Sequence, residues 1–288
     1  MSVPGGGEAF LTDEGTLRVE WGPVSLVAVA EWNGEHRPNE LLKAGDFCLG
    51  VLSEVGRDAA ILKQDVKRIK IIGGLSPHSA RMVEVAKLFP AGFITPMIAV
   101  AGTVAEAVAK KLASLGADRV LVSNGGDVAL ILPKGGEAKV GLVAAVGDSK
   151  PSLAVRVKEA DLVGGVATSG LGGRSFTLGI ADAVTVFSRR APVADAAATL
   201  IANEVNVESA AILRAPASSI EAGSDLGEMP VTKSVGDLTE GEISGALERG
   251  ARYARGLMDS GLILGALLTL RGKRRIVGYP GFNGVYGL

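Results

Sequence analysis

A chain of 288 residues, long enough for one large domain or two packed halves, carries 30 basic and 31 acidic side chains for a formal charge of −1. No net field therefore draws nucleic acid or an anionic membrane surface to it, and neither is expected as a partner. The 47 % hydrophobic content rests on Ala, Val, Leu and Ile, with aromatics at 4 %, while 40 glycines imply tight turns and close backbone approaches.

The opening is read as sheet. Thr16–Ala30 alternates and is rich in β-branched residues, with Val24–Ala30 following the turn Trp21-Gly22-Pro23. Asn39–Val55 places Leu41, Leu42, Ala44 and Leu49 near helical spacing, interrupted by Gly45. Cys48 is the single cysteine, which excludes an internal disulfide and any multi-cysteine metal site, and beside Phe47 and Leu49 it is expected to be buried. Ala59–Ile72 changes period midway and fits helix or strand. Ser76 can cap a helix that Pro77 begins, with Met82, Val83, Val85, Ala86 and Leu88 as its apolar face.

The most periodic helix is Val100–Leu115, stopped near Gly116 and followed by the strand Arg119–Ser123. After the turn Asn124–Asp127 a strand Val128–Leu132 is expected to form a hairpin, through Pro133–Gly136, with Lys139–Ala145. Further strands are expected at Ala154–Val157, Leu162–Thr168 and Ala183–Phe187, and a helix from Pro192 to about Val205. Ser209–Leu213, an irregular loop through Gly236, the helix Glu240–Met258 and the strand Leu262–Arg271 complete the chain. The basic run Arg271–Arg275 is read as a solvated turn between two strands. No linker composition appears, so one domain over 1–288 is expected.

Met1–Gly7 has no basic region followed by an apolar one, and no run reaches the roughly 18 apolar residues of a membrane span. A cytoplasmic protein is expected. The mean hydropathy of +0.32 suggests a homo-oligomer that buries some apolar surface against its own copy.

Three segments place bare backbone beside polar side chains: Ala101-Gly102, Asn124-Gly125-Gly126-Asp127 and Thr168-Ser169-Gly170. Amides at glycine turns approach phosphates closely, and nearby hydroxyl and amide side chains add donors, which suits a dinucleotide pyrophosphate. Asn-Gly-Gly-Asp taken singly is also an ordinary β-turn sequence. Asp195 and Thr199 lie four apart on a helix, hence on one face, and a carboxylate with a hydroxyl suits Mg²⁺. The alternative is that Asp195 complements the helix dipole and Thr199 bonds a backbone carbonyl. His36 and His78 are far apart in sequence and have no cysteine or nucleophile-elbow partner, so neither a histidine metal site nor a Ser-His-Asp triad is expected.

Pro96–Glu106, VLVSNGGDVAL, VATSG and the Ala-Asp-Ala-Ala-Ala-Thr helix resemble, in order over Ile94–Val205, the ApbE-like superfamily related to FAD:protein FMN transferases. They stand nearer an uncharacterised, non-lipoprotein branch than the transferases themselves. The resemblance implies an α+β fold with antiparallel sheets and packed helices, sometimes grouped with T-folds. It implies FAD held by residues including Ala101, Gly102, Glu106, Asn124, Gly125, Gly126, Asp127, Thr168, Ser169 and Gly170. It further implies Mg²⁺ at Asp195 and Thr199, activating the pyrophosphate for FMN transfer to a protein Thr or Ser. Two departures matter. Ala101-Gly102 and Glu106 stand where transferases carry Lys-Gly and Asp, and Gly173–Gly179 replaces their His and Asp-Pro-x-Thr-Gly segment. A flavin-binding protein is therefore expected, related to Mg²⁺-dependent transferases. The alternatives are a non-catalytic binding or assembly protein, or an enzyme acting on another small acidic or cyclic substrate in the same pocket.

Overall fold

The computed structural model describes residues 6–89, 92–146, 151–173, 175–279, 281 and 286–287. Met1–Gly5 and Arg174, which figure in the sequence expectations, lie outside the described residues.

Strands β1 (Glu8–Leu11), β2 (Leu17–Trp21) and β3 (Val24–Glu31) precede helices α1 (Pro38–Leu62), α2 (Pro77–Ala86) and α3 (Val100–Ser114). Strands β4 (Arg119–Asn124), β5 (Asp127–Ile131), β6 (Glu137–Leu142), β7 (Leu153–Lys158), β8 (Gly165–Ser169) and β9 (Ala183–Ser188) lead to α4 (Ala191–Glu204). Then come β10 (Ile212–Pro216), α5 (Ala217–Ile220), β11 (Pro230–Val235), α6 (Glu240–Asp259), β12 (Gly265–Leu270), β13 (Lys273–Gly278) and β14 (Tyr286–Gly287). The fold is α+β, with helices packed on antiparallel strands. No helix among the described residues is long and apolar enough to cross a membrane.

Contacts divide the chain into two compact units, one of residues 1–136, 158–166 and 190–193, the other of 137–157, 167–189 and 194–288. In the first unit β1 to β5 pair antiparallel in sequence order, and β5 takes the start of β8 as its other neighbour. Alternation decides which face is covered: Leu26, Ala28 and Ala30 of β3 and Val120, Val122 and Asn124 of β4 are all buried. α1 and α3 pack on these strands and on each other.

α1 runs past the expected end because Val51, Val55, Asp58 and Leu62 continue its buried stripe at helical spacing. The ambiguous Ala59–Ile72 thus divides into the end of α1, a 3-10 turn at Val66–Arg68 with Asp65 accepting from Lys67 N, and extended chain. Asp58 is only 7 % exposed. Burial alone would raise its pKa, but hydrogen bonds from Arg57, the Ser76 amide (2.8 Å) and Ser79 outweigh that and hold it at about 2. Ser76 caps α2 as expected, its Oγ accepting from Ser79 N at 3.1 Å. Leu88 does not share the apolar face: α2 stops at Ala86 and Leu88 is 45 % exposed. Cys48 is buried, and burial pushes its thiol up to about 12.

In the second unit α6 packs on β12 and β13, and β12 pairs antiparallel with both β9 and β13. The expected turn of the basic run is confined to Arg271 (φ 50°) and Gly272 (φ 74°), which form the two-residue loop between β12 and β13 with Leu270 opposite Lys273, whereas Lys273, Arg274 and Arg275 belong to β13 and pair with β12. The expected irregular loop up to Gly236 instead contains α5 and β11, the latter paired with β10. The expected β5–β6 hairpin does not form. Pro133–Gly136 does turn, with Gly136 N donating to Pro133 O at 2.7 Å, but β6 joins β7 and β14 in a separate sheet. A turn is written locally, whereas the neighbour of β5 is chosen by β8, remote in sequence.

Candidate functional site

In the first unit, the segment Asn124–Asp127 is a two-residue hairpin. Asn124 and Asp127 pair, and the central Gly125 (φ 66°) and Gly126 (φ 108°) both occupy the left-handed region that only glycine enters freely. Both glycines are exposed, whereas Asn124 is buried and its Nδ2 donates to the Ala101 carbonyl at 3.3 Å. The turn is thereby tied to the first turn of α3.

Gly102 is buried and packs on backbone. A Cβ there would fall 2.4 Å from the Ala191 carbonyl oxygen and 2.8 Å from Pro192 Cα. Gly165 of β8 approaches the same place, where a Cβ would fall 2.4 Å from Ala191 N and 2.8 Å from the Arg190 carbonyl carbon. Two glycines thus fix the path of Arg190–Ala191 at the start of α4.

Glu106 is one turn beyond Gly102 on the same helix face. Its Oε1 pairs with Lys110 Nζ and lies 3.9 Å from Arg190 Nε, while its Oε2 is buried without a hydrogen-bond partner. Thr103 Oγ1 is likewise buried and unpartnered. The first unit therefore brings Ala101, Gly102, Glu106 and Asn124 together with Arg190, which sequence reasoning missed. The available signal was Arg189-Arg190, a basic pair where a strand ends just ahead of Pro192.

In the second unit, Thr168 and Ser169 part company because successive strand residues point to opposite faces. Thr168 Oγ1 meets Thr185 Oγ1 at 2.8 Å, whereas Ser169 Oγ faces Thr199 Oγ1 of α4 at 3.5 Å, the limit of a direct hydrogen bond. Gly170 is buried, and a Cβ there would fall 2.7 Å from the Asp182 carbonyl oxygen.

α4 explains its own alanines. From Ala191 to Ala202 every residue is buried except Asp195 and Thr199, so a helix covered on all other sides keeps one polar stripe of a carboxylate and a hydroxyl. These are hard oxygen donors of the type Mg²⁺ takes, with water or a ligand's phosphates completing the shell. Among the described residues, no group of three or more His, Cys, Asp or Glu is placed to hold a metal. A cation here would therefore rest on one carboxylate and neighbouring hydroxyls.

The segment Gly173–Gly179 serves structure where described. Asn203 Oδ1 accepts from Leu178 N at 2.9 Å and from Thr177 Oγ1 at 3.2 Å, and Gly179 is pressed against α4, where a Cβ would meet the Ala202 carbonyl. Both histidines belong to the first unit, where His78 Nδ1 lies 3.2 Å from Glu54 Oε2 and its ring meets the edge of Phe47.

A family model described as AbpE bacteria matches residues 8–276. The chain belongs to this ApbE-like family. Among curated proteins, a UPF0280 protein of Methanosarcina acetivorans is 39 % identical over 120 residues, 41 % of this chain and 46 % of that protein. One of Methanococcus aeolicus is 36 % identical over 133 residues, 45 % of this chain and 53 % of that protein. These matches span about half the length of the relatives. Among solved structures, the flavinyl transferase ApbE of Pseudomonas stutzeri aligns over 96 % of both chains at 15 % identity with a TM-score of 0.44. The flavin transferase ApbE from Vibrio cholerae aligns over 97 % of this chain and 98 % of its own at 12 % identity with a TM-score of 0.49.

Proposed function

We propose that this ApbE-like family member binds FAD or a closely related flavin, with a divalent cation at Asp195 and Thr199. The observation that carries the reading is the single polar stripe on α4: a helix otherwise buried from Ala191 to Ala202 retains only the two side chains suited to a hard cation. In this reading the Asp195 carboxylate supplies the charge that offsets the cation, and the hydroxyls of Thr199 and Ser169 are the neutral oxygen donors. A bound Mg²⁺ would neutralise ligand phosphate charge and polarise the pyrophosphate.

A second reading, binding without group transfer, is favoured by the 173–179 segment. Its Thr177 and Leu178 are used in hydrogen bonds to Asn203, and no histidine lies in the second unit to take a proton from an acceptor hydroxyl. Incubating the protein with FAD, Mg²⁺ and a flavinylation acceptor separates the two. Release of AMP supports transfer, and FAD binding without AMP supports the binding-only reading. Neither binding nor AMP release removes both.

A further inference from the structure

We propose that the segment Asp65–Leu75 of the first unit docks on an anionic lipid surface. Lys67, Arg68 and Lys70 meet the lipid phosphates there, and Ile71 enters the boundary between headgroups and acyl chains.

The segment is anchored from beneath. Val66 and Ile69 are each 5 % exposed, and Val66 N donates to the Ile94 carbonyl at 2.7 Å. Arg68 N donates to Asp65 O at 2.8 Å and Ile69 N to Val66 O at 3.2 Å, which closes the 3-10 turn. Around these anchors Lys67, Arg68 and Lys70 are exposed, and none of the three makes an ion pair among the described residues. Asp65 is the only carboxylate of the segment, and its Oδ1 accepts from the Lys67 amide at 3.0 Å. Three cations therefore face solvent against one carboxylate that already serves the backbone.

The apolar part sits beside the charge. Ile71 is 79 % exposed and directly precedes a turn in which Leu75 N donates to Ile72 O and Gly74 takes φ 98°. Phe93, 41 % exposed, is next to Ile94 and so adjoins the same 3-10 turn. A single exposed aliphatic side chain is ordinary, but apolar side chains rimmed by unpaired cations are the combination that binds an anionic interface. The formal charge of −1 belongs to the whole chain, whereas a surface within a Debye length of about 8 Å feels the local excess of cations. A nucleic acid would meet the cations and leave Ile71 and Phe93 uncovered. A lipid surface satisfies both, and it needs no shaped groove.

The test is cosedimentation of the full chain with phosphatidylcholine vesicles and with vesicles containing about one third phosphatidylglycerol. Binding is expected to the anionic vesicles and to fall with added salt. Lys67→Gln, Arg68→Gln and Lys70→Gln together should weaken it by about a hundredfold, or roughly fivefold per cation, and Ile71→Ser by about tenfold. Lys134→Gln, Arg252→Gln and Arg274→Gln together change the net charge equally at other exposed positions and should bind as wild type does. Thermal unfolding confirms that each variant is folded. A fluorophore on Ile71→Cys should shift to the blue with anionic vesicles, and Cys48, being buried, does not compete for the label. No binding by wild type overturns the proposal, as does equal binding to phosphatidylcholine alone or equal loss in the control triple variant. Binding without a blue shift, or equally tight binding of polyglutamate or DNA, assigns the cations to a soluble polyanion and also overturns it. So does a loss of self-association in Ile71→Ser with vesicle binding unchanged, which assigns Ile71 to a contact between copies.

Discussion

Gly102 lies against the carbonyl oxygen of Ala191, leaving no space for even a methyl group, since a Cβ would sit 2.4 Å from that oxygen. The contact fixes where α4 begins relative to α3 and, with Gly165, sets the backbone of Arg190. A glycine that the sequence presents as a phosphate-approach residue is also a packing residue.

Replacing Gly102 by alanine sets two effects against each other. Helix propensity favours alanine by about 1 kcal/mol, whereas overpacking costs about 1–3 kcal/mol, toward the upper end where rigid backbone must move. The clash should win, and thermal denaturation should show Gly102→Ala less stable than wild type. Gly56→Ala in α1, where a Cβ meets nothing within 4 Å, should be neutral or stabilising by up to about 1 kcal/mol.

Asp195→Asn keeps size and most hydrogen bonding but removes the charge opposing a cation, so Mg²⁺-dependent FAD binding should weaken while stability changes little. Were Asp195 only a favourable charge in the first turns of α4, the same change would cost about 0.3–1 kcal/mol of stability and spare binding. Thr199→Val is the partner test. With one shared cation, the double mutant should bind no worse than the more damaging single, whereas additive losses in titrations would tell against a shared site.

Asp58 gives a pH prediction. Its folded pKa of about 2 lies below the ordinary aspartate value, so its contribution is present above that ordinary value and is lost as pH falls through the folded pKa. At pH 7 Asp58→Asn should cost about 2 kcal/mol, and the gap from wild type should close between about pH 4 and pH 2. Urea unfolding of both proteins across that range checks it, and a pH-independent gap would count against the assignment.

Light scattering at micromolar concentration should give a mass above that of one chain. Exposed Ile71, Leu88 and Phe93 in the first unit and Leu213 and Ile276 in the second are apolar surface that association could cover. A monomeric mass would contradict the expectation of a homo-oligomer.

Much of this architecture could be read locally because local chemistry writes it. Ser76-Pro77 caps α2, Gly116 (φ 90°) ends α3, and Asn124–Asp127 makes the hairpin its glycines predict. The sequence was silent where distant segments decide. Besides β4, β5 pairs with β8 rather than with β6 across the Pro133–Gly136 turn, and β11 forms only because β10 offers it an edge. In the site, the spacing of Asp195 and Thr199 was legible as helix geometry. The separation of Thr168 from Ser169 depended on where β8 begins, and the approach of Arg190 to Glu106 depended on two glycine contacts, Gly102 to Ala191 and Gly165 to Arg190–Ala191.

The most direct test of the flavin reading is calorimetric titration of FAD into the wild-type protein, with Mg²⁺ and again with Mg²⁺ removed by chelation. The account predicts saturable binding with Mg²⁺ that weakens by about tenfold or more without it, as expected when one carboxylate and hydroxyl oxygens hold a cation that also takes ligand phosphate. No heat and no thermal shift at millimolar FAD with Mg²⁺ present would contradict it.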